Sequence, residues 1–470
     1  MLSPFILILS SVNLFAQNFV YTNNNTAGAN TVTAFSVAGN GALTPVAGSP
    51  FATGGTGTGL GFYASNRART CVVGNQLYIT NEGSNSVSGF NINPTTGALT
   101  LVPGTPFATG GLGAGFGISL DCTPNRQFLI AANSTSDNIT VFSISSNGAL
   151  TPVAGSPFSA GGKPDGIRVS PTGQFLSVAL DDIDRVAMFS IAANGTLTPV
   201  SGSPFASPAN GSVTGVEINC AGNLLFAAQC CGGGTNVDVF SISANGALTL
   251  IQSSNNPTVG DNSNVAVLSP NQQFLFVSNQ DSNTVTVFNV AANGMLSLVA
   301  GSPFANPGGD TPQQLATDQS GTFLYANNQN GTVGVFSIAS NGALSPIAGS
   351  PFAAGSSPRP GIAAFPPASC GPAFDVCLQD DSSGNILRFN KTTGDYLFNR
   401  CDTGFMLGGT GTVTIKGSMI TLQHNAADRR VFAQMDNAVK SGKASIQVFS
   451  LGTTFTIADR NTTNNTCACP

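Results

Sequence analysis

Three kinds of residue in this chain could do chemistry: one histidine, a run of charges and a set of cysteines. His424, in Leu422-Gln423-His424-Asn425, is the single imidazole among 470 residues. Any mechanism or metal site that needs two histidines is therefore excluded. His424 follows a strand-like segment late in the chain and reads as a surface residue, not a general base. No Gly-x-Ser-x-Gly elbow, Walker loop or His-Glu-x-x-His motif occurs. The charges are more informative. Lys163, Asp165, Arg168, Asp181, Asp182, Asp184 and Arg185 make up seven of the 20 charges that precede Cys370. Arg168 and Arg185 have the paired N–H donors to grip a carboxylate, a phosphate or a hydroxylated ligand. Equally, the segment could be a solvated loop whose ion pairs contribute little each. Asp181-Asp182-Ile183-Asp184 lacks EF-hand spacing and a distal Glu, so no metal is assigned to it. Arg168 and Glu217 stand at matching places in successive repeats of the chain, where Ala316 and Ala363 stand later. They read either as a catalytic or ligand-holding pair or as a self-neutralising structural one. The candidate catalytic residues are Arg168, Glu217 and Asp184, and the candidate ligand-binding set is Lys163, Asp165, Arg168, Asp181, Asp184, Arg185 and Glu217.

The ten cysteines favour disulfides over metal, because neither Cys467-Ala468-Cys469 nor Cys230-Cys231 has metal-ligand spacing. Cys71 and Cys122 occupy corresponding turns of neighbouring repeats and are placed to bridge. Cys230 and Cys231 are expected to pair elsewhere or to stay reduced, since a bridge between adjacent cysteines is strained. Residues 1–16, with the apolar run Phe5-Ile6-Leu7-Ile8-Leu9 and Ala16 before Gln17, read as a secretory signal peptide. That places the mature protein outside the cell or in a periplasm. No later segment has the ~18 unbroken apolar residues of a membrane helix.

These residues must be positioned by repeated elements. A hydrophobic fraction of 41% is too high for a disordered chain, and a net charge of −5 offers no basic footprint for nucleic acid. The unit exemplified by Asn138-Ile139-Thr140-Val141-Phe142 followed by Asn147-Gly148-Ala149-Leu150-Thr151-Pro152-Val153 recurs with its Phe at 35, 90, 142, 189, 240, 288 and 336. A period near 50 suits a four-stranded propeller blade, so the fold class is all-β, a seven-bladed propeller over 19–369. Asn-Gly at 40–41, 147–148, 194–195, 245–246, 293–294 and 341–342 is expected to form type I′ hairpin turns. Runs such as Phe274-Leu275-Phe276-Val277 need cover on both faces. Gly-Ser-Pro-Phe, as at Gly48 to Phe51, ends the outermost strand, where a proline costs no ladder bond. The fifth unit has Gln252-Ser253-Ser254-Asn255 instead. Gly361-Ile362-Ala363-Ala364-Phe365 is a spare inner strand that completes the first blade and closes the ring. From Cys370 onward the composition shifts to 17 charges in 101 residues, and 370–470 reads as a small, disulfide-stapled β domain. The loops of one propeller face gather Asn81-Glu82-Gly83, Asp137, Gln229-Cys230-Cys231, Asp281, Asp310 and Arg359 with the fourth-unit charges, converging on one mouth of the channel.

Phe19-Val20-Tyr21-Thr22-Asn23, Leu77-Tyr78-Ile79-Thr80-Asn81 and the Asn-Gly-Ala-Leu-Thr-Pro-Val segments make residues 19–365 resemble the seven-bladed lactonase propellers. That group includes 6-phosphogluconolactonase-like and YVTN-repeat proteins. The resemblance implies the fold, and a lactone-opening activity that uses His, Arg and acidic residues at the channel mouth. Where the group has His-Pro-His, this chain has Lys163-Pro164-Asp165, and of Asp-Leu-Gly-x-Asp-Arg it keeps Asp184-Arg185. With no imidazole in the propeller, the residues favour an exported scaffold that binds a ligand or partner through its polar loop face. The partner would be a small anionic or sugar-like ligand or an extracellular surface protein, and no cofactor is implied. The alternative is a lactonase in which carboxylates and Arg replace the histidines.

Overall fold

β-Branched and aromatic residues set the strands, and their burial shows where the cover comes from. Phe274–Asn279 is buried at all six positions, as a strand packed on both faces must be. The computed structural model describes residues 18–59, 69–113, 117–208, 211–231, 235–256, 260–355 and 361–367, with the backbone of eight strands between 376 and 459. Residues 1–16 and Arg359 lie outside the described residues.

Seven antiparallel sheets arise from residues 18–369. Each runs outward from an inner strand: Gly361–Phe365 in blade 1, then Thr70–Val73, Ile118–Cys122, Pro164–Val169, Ser212–Ile218, Ser263–Leu268 and Pro312–Thr317 in blades 2 to 7. Blade 1 is assembled from both ends of the propeller, with Phe19 opposite Phe365 and Asn23 opposite Gly361. The spare strand therefore closes the ring. Buried apolar clusters occupy the seven seams between blades, not the interior of any one blade; Ile130, Val141, Ile167 and Val178, for instance, fill the seam between blades 3 and 4.

Two local readings are corrected. The outermost strand does not end at Gly-Ser-Pro-Phe but breaks there and resumes. Leu43–Pro45 and Phe51–Gly57 both pair with Gly28–Val37. Proline has no N–H to give to the ladder, and where the strand breaks the serine hydroxyl accepts in place of a ladder carbonyl: Ser49 Oγ takes the Ala34 N–H at 2.9 Å, and Ser156 Oγ the Val141 N–H at 2.9 Å. In blade 5, which lacks the motif, the outer strand Leu248–Asn256 runs unbroken. The Asn-Gly turns, in turn, are not type I′. Only the glycine has a positive φ, +85° at Gly41, and Gly41 N–H donates to Ala38 O at 2.8 Å. This is a type I turn followed by a left-handed glycine, the three-residue hairpin loop.

That glycine also locks blades together. A Cβ on Gly41 would lie 2.6 Å from the Phe323 ring of blade 7, and one on Gly97 would lie 2.3 Å from the Phe19 ring of blade 1. The residue that opens the second strand of one blade thus sits under the outer turn of the next, a phenylalanine in five blades and Gln76 and Leu224 in blades 2 and 5.

Cys71 and Cys122 are bridged, joining the inner strands of blades 2 and 3 with Cα atoms 6.2 Å apart. Cys230 and Cys231, expected to pair elsewhere or stay reduced, are bridged to each other. Neighbouring side chains on a strand point to opposite faces. Here the strand Leu224–Cys230 ends, and Cys231 enters the left-handed region at φ +70° with its N–H held by Asn262 Oδ1 at 2.9 Å. Cys220 is also disulfide-bonded. Beyond Cys370, eight strands form one antiparallel sheet in which Ile386–Phe389 pairs with Asp395–Arg400 and Phe405–Lys416 with Met419–His424.

Gly97→Ala combines a left-handed φ with a ring collision, whereas Gly161→Ala, at φ +82° with no atom within 4 Å of the new Cβ, tests the φ cost alone. Urea denaturation is expected to show Gly161→Ala destabilised by about 1 kcal/mol and Gly97→Ala by roughly 2–4 kcal/mol. Equal losses would show that the aromatic contact contributes nothing.

Candidate functional site

The inner strands form the channel wall, and register identifies one position common to all seven. Ala363 lies opposite Tyr21, Cys71 opposite Tyr78, Asp121 opposite Ile130, Arg168 opposite Ser177, Glu217 opposite Phe226, Val267 opposite Phe276, and Ala316 opposite Tyr325. Four of these are uncharged, with Cys71 consumed in its bridge. The three charged ones are consecutive in the ring.

Arg168 sits between two carboxylates. Its Nη2 is 3.1 Å from Glu217 Oε1 and its Nη1 is 4.0 Å from Asp121 Oδ2. Asp121 is anchored by accepting the backbone N–H of Val169 at 2.8 Å through Oδ2 and that of Cys122 at 2.8 Å through Oδ1. One carboxylate therefore ties the edge of the blade 4 inner strand to blade 3. The Arg168 side chain is 38% exposed against 8% for Glu217, so the arginine is half-buried and reaches solvent while the carboxyl is shielded. A guanidinium carries five donors, and those not spent on the two acids remain for a guest.

Burial dominates the electrostatics. It pushes the Glu217 carboxyl up to about 7, against the pull of Arg168 and with the help of the Asp121 charge. Asp121 is raised for the same reason, with Arg168 and the two backbone N–H groups opposing. The Glu217 charge holds the Arg168 guanidinium protonated against its own desolvation. A carboxyl near 7 beside a half-buried guanidinium is a base and a cation within reach of one small molecule.

The fourth-unit charges divide between the two ends of the inner strand Pro164–Val169. Residues 165 and 168 are separated by about 10 Å of extended chain, so Arg168 stands near the end leading into the turn at Gly173 and Lys163 at the opposite end. Lys163 Nζ pairs with Asp181 Oδ2 at 2.5 Å, its N–H donates to Asp182 Oδ1 at 2.8 Å, and Arg185 Nη1 donates to Pro204 O at 3.1 Å. Asp184, exposed and at φ +51°, is raised by partial burial and by Asp181 and Asp182, with a bond from Ser212 opposing. Asp165 is fully buried. The structure thus brings Arg168 and Glu217 together but keeps Lys163, Asp181, Asp184 and Arg185 apart from them. Arg69 and Asp121 are among the charged residues that the sequence did not single out. Arg69 forms a buried pair with Glu82 at 2.7 Å, to which Asn25 of blade 1 donates at 3.2 Å. Asp121 stands three residues before Pro124 just as Arg168 stands three before Pro171. A recess of about 350 Å³ between blades 1 and 7, lined by Asn24, Thr31, Thr33 and Ser49 among others, carries no ionisable side chain.

The profile of the family described as lactonase, 7-bladed beta-propeller, matches residues 16–214 and 234–357. Among solved structures, a candidate 6-phosphogluconolactonase from Bacteroides fragilis is similar at 21% identity and TM-score 0.59, covering 74% of this chain and 98% of its own. One from Bacteroides uniformis is 18% identical with TM-score 0.59, covering 74% and 99%. The periplasmic gluconolactonase of Pseudomonas aeruginosa is 19% identical with TM-score 0.58, covering 74% and 98%. No curated protein sequence matches the chain.

A carboxyl raised in the folded state adds stability below its unfolded pKa and loses it as pH climbs through the folded one. Between pH 4.5 and 7, wild-type unfolding free energy is expected to fall by about 3 kcal/mol relative to Glu217→Gln. Parallel curves from urea titrations would refute a buried, destabilised Glu217.

Proposed function

Because this chain belongs to the lactonase family of seven-bladed β-propellers, we propose that it hydrolyses a lactone at the channel site formed by Arg168 and Glu217. The observation that carries the reading is the 3.1 Å contact between the half-buried Arg168 guanidinium and the shielded Glu217 carboxyl, on a scaffold whose family opens lactones.

Each group has a part that its position supports. Arg168 donates to the lactone carbonyl oxygen and holds the negative charge that develops there when water adds. Glu217, ionised, removes a proton from that water as its oxygen bonds to the carbonyl carbon. The tetrahedral adduct then collapses, the ring C–O bond breaks, and Glu217 returns the proton to the departing ring oxygen. The product is a hydroxy acid, and the enzyme ends as it began. A carboxylate that holds its proton up to about pH 7 takes over the acid–base duty that an imidazole would otherwise carry.

The test is turnover of aliphatic and sugar-derived lactones by the purified protein. Glu217→Gln and Arg168→Ala are each expected to lower kcat/KM by about 10²-fold or more. The wild-type rate is expected to rise with pH through about 7, because the base acts ionised, and to level off above. No turnover, or turnover indifferent to both substitutions, would overturn the reading. Lactone binding without turnover would return the propeller to a ligand-binding scaffold.

Export is part of the same proposal. The apolar run before Gln17 supports it, as does the Cys71–Cys122 bridge, since such bonds persist in oxidising compartments. The N-terminus of protein recovered from outside the cytoplasm is expected at Gln17. An unprocessed Met1 there would contradict it.

A further inference from the structure

We propose that Asp121 is a specificity-determining residue of the channel site, and that by sharing Arg168 with Glu217 it confines the site to lactones that carry no charge. The inference rests on the lactonase reading and adds the class of substrate.

A site for a phosphorylated or carboxylated lactone needs a cation with charge to spare. The only basic residue in the common ring position is Arg168, and it faces two carboxylates, at 3.1 Å and 4.0 Å. The neighbours that complete the ring, Val267, Ala316 and Ala363 among them, contribute none. Asp121 cannot swing away to release the guanidinium, because its two oxygens are held by the N–H groups of Val169 and Cys122. Other described cations are engaged elsewhere: Lys163 by Asp181, Arg69 by Glu82 and Arg185 by the carbonyl of Pro204. Arg126 rests over Gly74, in the turn of the neighbouring blade. An anion entering this ring meets two like charges and one cation already neutralised, an arrangement that rejects it. A neutral lactone needs only the donors Arg168 has left. Its carbonyl oxygen becomes negative only as water adds, when Glu217 takes a proton and the acidic pair loses a charge. Asp121 therefore discriminates against charge on the substrate without opposing charge on the reacting atoms.

The experiment compares kcat/KM for glucono-1,5-lactone and its 6-phosphate in wild type, Asp121→Asn and Asp121→Glu. Wild type is expected to favour the uncharged lactone by about tenfold or more. Asp121→Asn is expected to shrink that ratio by about tenfold, mostly through KM of the phosphate ester, and to move the pH–rate midpoint downward, because Asp121 helps hold the Glu217 proton. Asp121→Glu should keep the wild-type ratio. A merely structural aspartate would lower both rates together and leave the midpoint in place, which overturns the inference while the lactonase reading stands. So does a wild type that prefers the phosphate ester. If neither lactone turns over, the lactonase reading fails, and inorganic phosphate decides the charge question separately by thermal shift. The inference then predicts stabilisation of Asp121→Asn only, and phosphate stabilisation of wild type overturns it.

Discussion

A blade of some fifty residues cannot hide both of its faces, and the whole propeller follows from how that is solved. Each seam is filled from two blades, and at the outer end of five of them a left-handed glycine leaves just enough room for the preceding blade's phenylalanine, as Gly41 does for Phe323 and Gly246 for Phe175; Gln76 and Leu224 take that place under Gly148 and Gly294. Any side chain at the glycine would wedge the seam open. The demand for a positive φ and the demand for close approach fall on one residue, which is why the Asn-Gly pair recurs so regularly. At the inner end the ties are polar. Thr70 Oγ1 donates to Ile362 O at 3.1 Å, Gln314 Oε1 accepts the Ile362 N–H at 2.7 Å, and Asp121 accepts from Val169. Inner strands have one edge without a partner strand, and these side chains satisfy groups that would otherwise face the channel unpaired.

The site is an outgrowth of the same ties. Asp121, Arg168 and Glu217 occupy positions that any blade must fill, and four blades fill them with uncharged residues. The proposed site lies where the scaffold already fixes the backbone on both sides. A guanidinium held between acids on the two neighbouring inner strands has little freedom left to lose on binding a guest.

Seven units, ring closure and the exceptional fifth blade were legible because each depends on a pattern repeated along the chain. The pairing of Arg168 with Glu217 was legible for the same reason: equivalent positions in successive units become neighbours. Asp121 followed the same rule, but its unit ends Asp121-Cys122-Thr123-Pro124 and drew notice for its cysteine and not for its charge. The convergence expected of Lys163, Asp181, Asp184 and Arg185 with Arg168 failed because closeness in sequence along an extended strand is distance in space. The turn type was misjudged because Asn-Gly suits two hairpin geometries, and the hydrogen bond from Gly41 to Ala38, not the dipeptide, selects between them. The vicinal bridge at Cys230 depends on the backbone angle of Cys231, which no spacing reveals.

Ring closure has a bearing on how the protein is made. Phe19–Asn23 leaves the ribosome before the other strands of the propeller, and its partner Gly361–Phe365 after them. Until then the first sheet presents a bare edge, with the main-chain groups from Phe19 to Asn23 available to any passing strand. Synthesis of six further blades must run ahead of that hazard. A nascent chain halted before residue 361 would emerge not as a smaller disc but as an unsealed arc, sticky at both tips.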